Sequence, residues 1–257
     1  MSSDPALPLT GRRVLVTGAS SGIGRAIAVA AARQGADVAV TFRANEQGAR
    51  EVVEGITAMN RRSVAFELDL ADEPSIRALP AKAREALGSV DVWINNAGAD
   101  ILTGEAAALD ILGRLDRLIA VDLRGTMIAS WEAVALMQQQ AAGGVIINMS
   151  WDHVISGMAG TNPQLFAAVK GGVLAFSKAL ARSVAPKVRV NVIAPGWIET
   201  SFGESVDAQV RQAVVDATPL KRWGRPEDVA GAAVYLASPA ADFLTGQTIM
   251  VGGGLVM

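Results

Sequence analysis

The run Thr17-Gly18-Ala19-Ser20-Ser21-Gly22-Ile23-Gly24 carries the clearest chemistry in this sequence. It joins an apolar stretch, Val14-Leu15-Val16, to a helical pattern over residues 23–34. A strand, a glycine turn and a helix in that order make a cradle for phosphate. Gly18 permits the tight turn, and Gly22 lets the backbone approach a pyrophosphate. Gly24 lets the helix pack on the strand while its N-terminal N–H groups face the anion. A glycine octet alone also fits a plain turn. The strand before it, the helix after it and a second strand, Asp37–Phe42, supply the βαβ context that a nucleotide site requires.

The end of that second strand selects the cofactor. An acid there would bind a ribose 2′-hydroxyl and repel a 2′-phosphate, whereas a base attracts the phosphate. Here the acid is missing and Arg43 follows, so NADP(H) is favoured over NAD(H), the alternative being an arginine that is simply solvated. Asp69, just beyond a third strand at 63–68, suits an adenine amino group or, from its spacing, a helix cap or turn. Asn95-Asn96-Ala97-Gly98 follows a fourth strand at 90–94. Its two amides and glycine either tie strands together and leave backbone groups open to a ribose, or form an ordinary turn.

These groups need a scaffold that gathers strand ends. Helical patterns at 45–59 and Glu73–Leu87 alternate with the strands. A long helical region, 106–140, is interrupted near Arg124-Gly125 and is apolar on more than one stripe, through Leu109, Leu112, Leu115, Ile119, Leu123, Met127, Trp131, Val134 and Leu136. One sheet face does not use so much, and oligomer contact is a use for the surplus. A fifth strand, Gly144–Met149, opens onto Ser150-Trp151-Asp152-His153 and a loop to Pro163. A helix at 164–184 carries Lys170, Gly171 and Gly172, where small residues permit close backbone approach. A sixth strand at 188–193 leads into Ala194-Pro195-Gly196-Trp197-Ile198-Glu199-Thr200, and residues 201–224 read as a mobile lid. A helix starts at Pro226 with acids in its first turn, and a seventh strand at 247–251 precedes three glycines.

This alternation predicts a single doubly wound α/β (Rossmann) domain over residues 11–257, with a flexible arm at 1–10. Its seven-stranded, mostly parallel sheet carries helices on both faces. Ligands of such sheets lie beyond the carboxyl ends of the strands, where the glycine loop, Asp69, Asn96, Ser150 and Pro195 all fall.

Composition narrows the function classes. The 257 residues are 51% apolar with a formal net charge of -2, so the chain can bury a large core but offers no basic stripe for nucleic acid and no polybasic membrane anchor. No apolar run approaches the roughly 18 residues of a membrane span, and the first residues lack the pattern of a signal peptide. A cytoplasmic protein without a membrane or nucleic-acid partner is expected. With no cysteine and one histidine, disulfide, thiolate and zinc chemistry are excluded and no metal site is expected.

In order and spacing, Thr17 to Gly24, Asn95-Asn96-Ala97-Gly98, and Pro195-Gly196 with Thr200 resemble the motifs of the short-chain dehydrogenase/reductase family, classical type, which includes ketoacyl-carrier-protein reductases. The resemblance implies a nicotinamide dinucleotide held by Gly18, Ser20, Ser21, Gly22, Ile23 and Gly24 of the loop and by Arg43. It implies Asp69 and Leu70 near the adenine, Asn96, Ala97 and Gly98 near the ribose, and Pro195, Gly196, Ile198 and Thr200 near the nicotinamide amide and phosphates. Lys170 would hydrogen-bond the nicotinamide ribose. It also implies a homotetramer assembled through the long apolar region and the helix of Lys170.

The catalytic half departs from that pattern. Family members use a tyrosine four residues before a lysine as general acid, a serine after the fifth strand to hold the substrate oxygen, and an asparagine in the long helix to order a proton-relay water. Lys170 is present, but Phe166 stands four residues before it, and the sole tyrosine, Tyr235, lies in a late helix. The asparagine position reads Asp122, within Val121-Asp122-Leu123-Arg124-Gly125. Counting from the fifth strand puts Trp151 at the serine position, with Ser150 one residue earlier and pointing the opposite way if the chain stays extended, in a loop slightly longer than usual. The family's terminal Asp-Gly-Gly reads Gly252-Gly253-Gly254. Phenylalanine has no proton to donate, and general acid catalysis contributes about 10² to 10⁴ in rate, roughly 3 to 5.5 kcal/mol.

Two readings follow. In the first, an NADP-dependent oxidoreductase with a re-equipped site transfers hydride to a C=O, C=N or C=C bond of a small, ring-bearing substrate. Trp151, Met158, Trp197, Phe202 and Trp223 would give an apolar, aromatic pocket. Its acid would be His153 with Asp152, or Asp122 if burial raises its pKa, beside Lys170 and Ser150; an iminium substrate would need none. In the second reading, a cofactor-binding subunit has lost its chemistry and serves an oligomer. The first is preferred because the phosphate cradle and hydride geometry are intact.

Overall fold

Alternating side chains sort onto two buried layers. In β1 (Arg13–Val16), Val14 and Val16 enter one layer and Leu15 the other; β2 (Asp37–Phe42) sends Val38 and Val40 one way and Ala39 the other. Strands buried on both faces in this manner belong in a parallel sheet. The remaining strands are β3 (Ser63–Glu67), β4 (Val92–Asn95), β5 (Gly144–Met149), β6 (Val188–Pro195) and β7 (Thr248–Val251). All neighbours pair in parallel, in the order β3-β2-β1-β4-β5-β6-β7, so the sheet is wholly rather than mostly parallel. The chain reverses its winding between β1 and β4, which opens a crevice at their carboxyl ends.

The computed structural model describes residues 7–204 and 206–257, without the side chains of Phe202 and Glu204. Helices α1 (Gly22–Arg33) and α2 (Glu46–Thr57) cover one face together with a late helix; α3 (Glu73–Leu87) lies on the other. There it joins α4 (Ile111–Leu118) and α5 (Thr126–Gln138), and, after the short α6 (His153–Ser156), the long α7 (Thr161–Val184). Then follow α8 (Ser201–Glu204), α9 (Ala208–Ala217) and α10 (Pro226–Ala237), which packs beside α1.

Several boundaries correct the sequence expectations. Part of the supposed arm belongs to the domain, because Leu9 is fully buried and its amide donates to the Gln34 carbonyl at 2.9 Å; residues 1–6 lie outside the described residues. The long helical region begins at Ile111, capped by Asp110 Oδ1 on the Gly113 amide at 2.8 Å. It is not broken near Arg124-Gly125 but winds through a π-helical segment, Ile119–Gly125. Such wider turns gather at functional sites, and this one carries Asp122. The stretch expected to be a lid holds α8 and α9. No described helix is long and apolar enough to cross a membrane.

Candidate active site

The end of β1 is organised by Thr17, the first residue of the motif, to which the sequence reading gave no role. Its hydroxyl accepts the Asn96 and Ala97 amides, each at 3.0 Å, and so fixes the end of β4 against the glycine loop. Asn96 Nδ2 returns two bonds of 3.0 Å to the Thr17 and Gly18 carbonyls. Thr41 Oγ1, from β2, accepts the Gly18 amide at 3.1 Å. Gly18 has φ +64, and a Cβ there would stand 2.8 Å from Ala97 Cα, so both conformation and space require glycine. Gly24 is pressed on the Gly18 carbonyl and the Asn96 amide, the close packing expected of it. Of the two readings left open for the asparagines, tying strands together is the one observed. Asn95 receives the Trp93 indole N–H at 2.8 Å and donates to Ser130 Oγ at 3.0 Å and Asn148 Oδ1 at 2.8 Å.

These contacts frame a cavity of about 780 Å³ lined by Gly18, Ser20, Ser21, Arg43, Asp69, Leu70, Asn96, Ala97 and Gly98. Asn45, Arg117 and Val121 line it as well, and sequence reasoning missed them. Asn45 follows Arg43 closely and Val121 adjoins Asp122, so both were findable, but Arg117 comes from α4, to which no motif points. Arg43 is exposed and makes no ion pair or hydrogen bond among the described residues, so its charge is available to a ligand. Asp69 caps a turn, its Oδ1 accepting the Ala71 amide at 2.8 Å, and it lines the cavity. A dinucleotide fits this cradle, since its narrowest points are glycines and its rim carries an unpaired arginine.

A second cleft of about 590 Å³ continues from the first through Asn96, Gly98, Ala99 and Asp100. Ile23, Pro195, Gly196, Ile198 and Thr200 line it, as do Asp122, Ser150 and Lys170. Gly22 lines neither cavity but abuts Thr200, where a Cβ would lie 3.5 Å from Thr200 Cγ2. The π-helical turn carries Asp122 inward to 1% exposure. Its Oδ2 lies 2.9 Å from Lys170 Nζ, and its Oδ1 accepts the Ala99 amide at 2.7 Å. Lys170 Nζ also reaches the Met149 carbonyl at 3.4 Å. Ser150 lines the cleft and donates its hydroxyl to the Lys170 carbonyl at 2.9 Å. Burial pushes Asp100 upward, but hydrogen bonds from the Thr103 hydroxyl and the Leu102 and Thr103 amides outweigh it and hold the carboxyl below its usual range.

Trp151, Met158, Phe166 and Trp197 wall this cleft. Trp223 does not; it is 3% exposed, packed on Trp197 at 5.1 Å between centroids with Arg211 over its ring, and is core. The Phe202 side chain lies outside the described residues. Asp152 and His153, expected to be an acid in the site, do not line the cleft. Trp151 lies there instead, stacked on the His153 ring with centroids 5.0 Å apart. Tyr235 is half exposed on α10 and enters neither cavity.

The sheet order, the glycine cradle and the second cleft over Lys170 agree with the motif order of the sequence. Residues 18–256 match the family model described as enoyl-(acyl carrier protein) reductase. The chain belongs to the short-chain dehydrogenase/reductase family. It is 38% identical over 243 residues to nodulation protein G of Azospirillum brasilense, covering 94% of this chain and 96% of the relative. A short-chain dehydrogenase from Burkholderia cenocepacia J2315, solved in complex with NADP, superposes with a TM-score of 0.87 at 32% identity, over 96% of this chain and 99% of the other. A 7α-hydroxysteroid dehydrogenase, solved with NADH and 7-oxo glycochenodeoxycholic acid, gives 0.88 at 30% identity, over 100% and 98%. As a member of the short-chain dehydrogenase/reductase family the chain is an oxidoreductase that takes a nicotinamide cofactor.

Proposed function

We propose that this short-chain dehydrogenase/reductase uses NADP(H) in preference to NAD(H) and reduces a C=O, C=N or C=C bond of a small, ring-bearing substrate without a tyrosine acid. The observation that carries the proposal is the pair of connected cavities, one with the unpaired Arg43 on its rim and one with Lys170 in its wall. One relative was solved with NADP and another with NADH, so family membership leaves the choice open and the weight falls on Arg43. The dinucleotide supplies hydride when bound. The chain's own residues then have three tasks. Ser20, Ser21 and the loop amides hold phosphate; Ile198 and Thr200 border the inner cleft; and the Trp151, Phe166 and Trp197 rings orient a planar substrate. Lys170 places an ammonium where negative charge would develop on a reduced oxygen, and Asp122 fixes its position at 2.9 Å.

That same ion pair favours a second reading. An ammonium already bonded to Asp122 and the Met149 carbonyl could serve structure alone, in a cofactor-binding subunit without turnover. The two readings separate when NADPH binding and NADPH oxidation are measured independently across a panel of ketones, ring imines and activated alkenes. Oxidation with at least one class is expected; tight binding with no oxidation anywhere in the panel overturns the enzymatic reading.

Assembly as a homotetramer and a cytoplasmic address belong to the same proposal. Ile111, Leu112, Ile119 and Trp131 remain exposed along α4, the π-helical turn and α5, an apolar strip that a second copy would cover. Light scattering at micromolar concentration should give a tetramer, and a monomer would contradict it.

A further inference from the structure

Trp151 sits between β5 and α6, where the Ser150 and Asp152 amides on either side of it donate to the Ile193 and Pro195 carbonyls at 2.8 and 3.1 Å; these hold the backbone, and the ring contacts orient the indole in the cleft wall. Two rings touch it. Phe166 meets it edge-on at 6.3 Å and 63°, and His153 lies nearly parallel behind it at 5.0 Å and 22°. The imidazole is itself held: His153 is 8% exposed, and its Nδ1 is hydrogen-bonded to Asp152 Oδ1 at 2.6 Å. Asp152 Oδ1 also accepts the His153 amide at 2.7 Å, and the Asp152 amide donates to the Pro195 carbonyl at 3.1 Å.

Asp152 is fully buried, and its Oδ2 has no hydrogen-bond partner among the described residues. Orphaned buried oxygens are rare and call for an explanation. Burial pushes this carboxyl above its usual range, against the lowering effect of the His153 hydrogen bond. The oxygen fits only because residues 196 and 252 are glycines, since a Cβ on either would overlap Oδ2. Gly252 stands where the family motif resembled by this sequence has an aspartate, and in space it faces the Asp152 carboxylate that bonds His153.

We propose that Asp152 and His153 are positioning residues for substrate specificity: through a bonded and stacked relay they fix the Trp151 indole as the wall against which a ring-bearing substrate packs, and Gly252 is the space that this relay requires. The inference rests on the proposed function only in taking the inner cleft as the substrate's, and its test needs no substrate.

The 257-residue chain labelled with fluorotryptophan gives fluorine NMR resonances from its five tryptophans. The one lost in Trp151→Phe identifies Trp151. His153→Ala should displace or broaden that resonance while the others keep their positions, and NADPH affinity, read by nicotinamide fluorescence, should change little, because His153 lines neither cavity. Gly252→Ala, which drives a methyl into Asp152 Oδ2, should move the same resonance. Should His153→Ala not fold, His153→Phe carries the test, because it keeps a ring but cannot bond Asp152, and the same displacement is expected. A Trp151 resonance unmoved by these changes overturns the proposal, as does a displacement shared equally by all the tryptophans. Failure of the enzymatic reading would show separately, as NADPH bound but not oxidised while the Trp151 resonance still responds to His153.

Discussion

The outer and inner cavities of this molecule are built from different materials. The outer one is made of backbone: amides and carbonyls at the ends of β1, β2 and β4, held by Thr17, Thr41 and Asn96, with glycine at the points of closest approach. The inner one is made of side chains brought from the π-helical turn, the end of β5, α7 and the end of β6. A backbone site keeps its residue types because few others fit its conformations. A side-chain site can change its chemistry while the scaffold stays, and the motif resemblance sets Phe166, Trp151 and Asp122 at the family's Tyr, Ser and Asn positions. Within this cleft Asp122 supplies a counter-charge 2.9 Å from Lys170, so the two side chains form one unit.

The largest expected effect attacks that coupling. Asp122→Ala leaves the buried Lys170 ammonium unpaired and the Ala99 amide without its acceptor, and removal of one partner of a buried pair costs about 3 to 5 kcal/mol. Urea unfolding should show a loss of that size. Asp122→Asn, which keeps an acceptor for Ala99, should lose less. If both variants unfold like the unmutated protein, the inner cleft is not organised around this pair.

A smaller effect tests the outer cavity. Arg43→Ala should narrow the preference for NADPH over NADH by about 1 to 3 kcal/mol, the scale of a charge-assisted contact, with little effect on NADH. Isothermal titration of both dinucleotides measures it. Equal affinities in the unmutated protein would remove Arg43 from the 2′-phosphate and erase the distinction in charge between the two cavities.

The same contrast explains what the sequence made legible. Strand alternation and the glycine octet specify local geometry, so β2, α3 and β5 fall on their expected boundaries and the cradle assembles from Gly18, Asn96 and Gly24 as read. Less legible were features set by three-dimensional packing. Thr17 opened the motif without a role and Thr41 read as an ordinary strand residue, and their hydroxyls join β1, β2 and β4. The π-helical turn looked like a helix break because arginine and glycine adjoin in it, whereas its backbone continues and carries Asp122 inward. His153 beside Asp152 looked like a titratable pair in the site, but chain adjacency does not determine which side of Trp151 they occupy.

The central claim is that hydride transfer here proceeds with Lys170 as the charged group of the cleft and with no tyrosine. It is tested most directly by comparing the unmutated protein with Lys170→Met on whichever panel substrate is reduced, with NADPH affinity measured separately on each. Turnover should fall by about 10² or more, a loss too large to follow from any change in NADPH affinity measured alongside it. Turnover unchanged in Lys170→Met, with NADPH bound equally by both proteins, would contradict it.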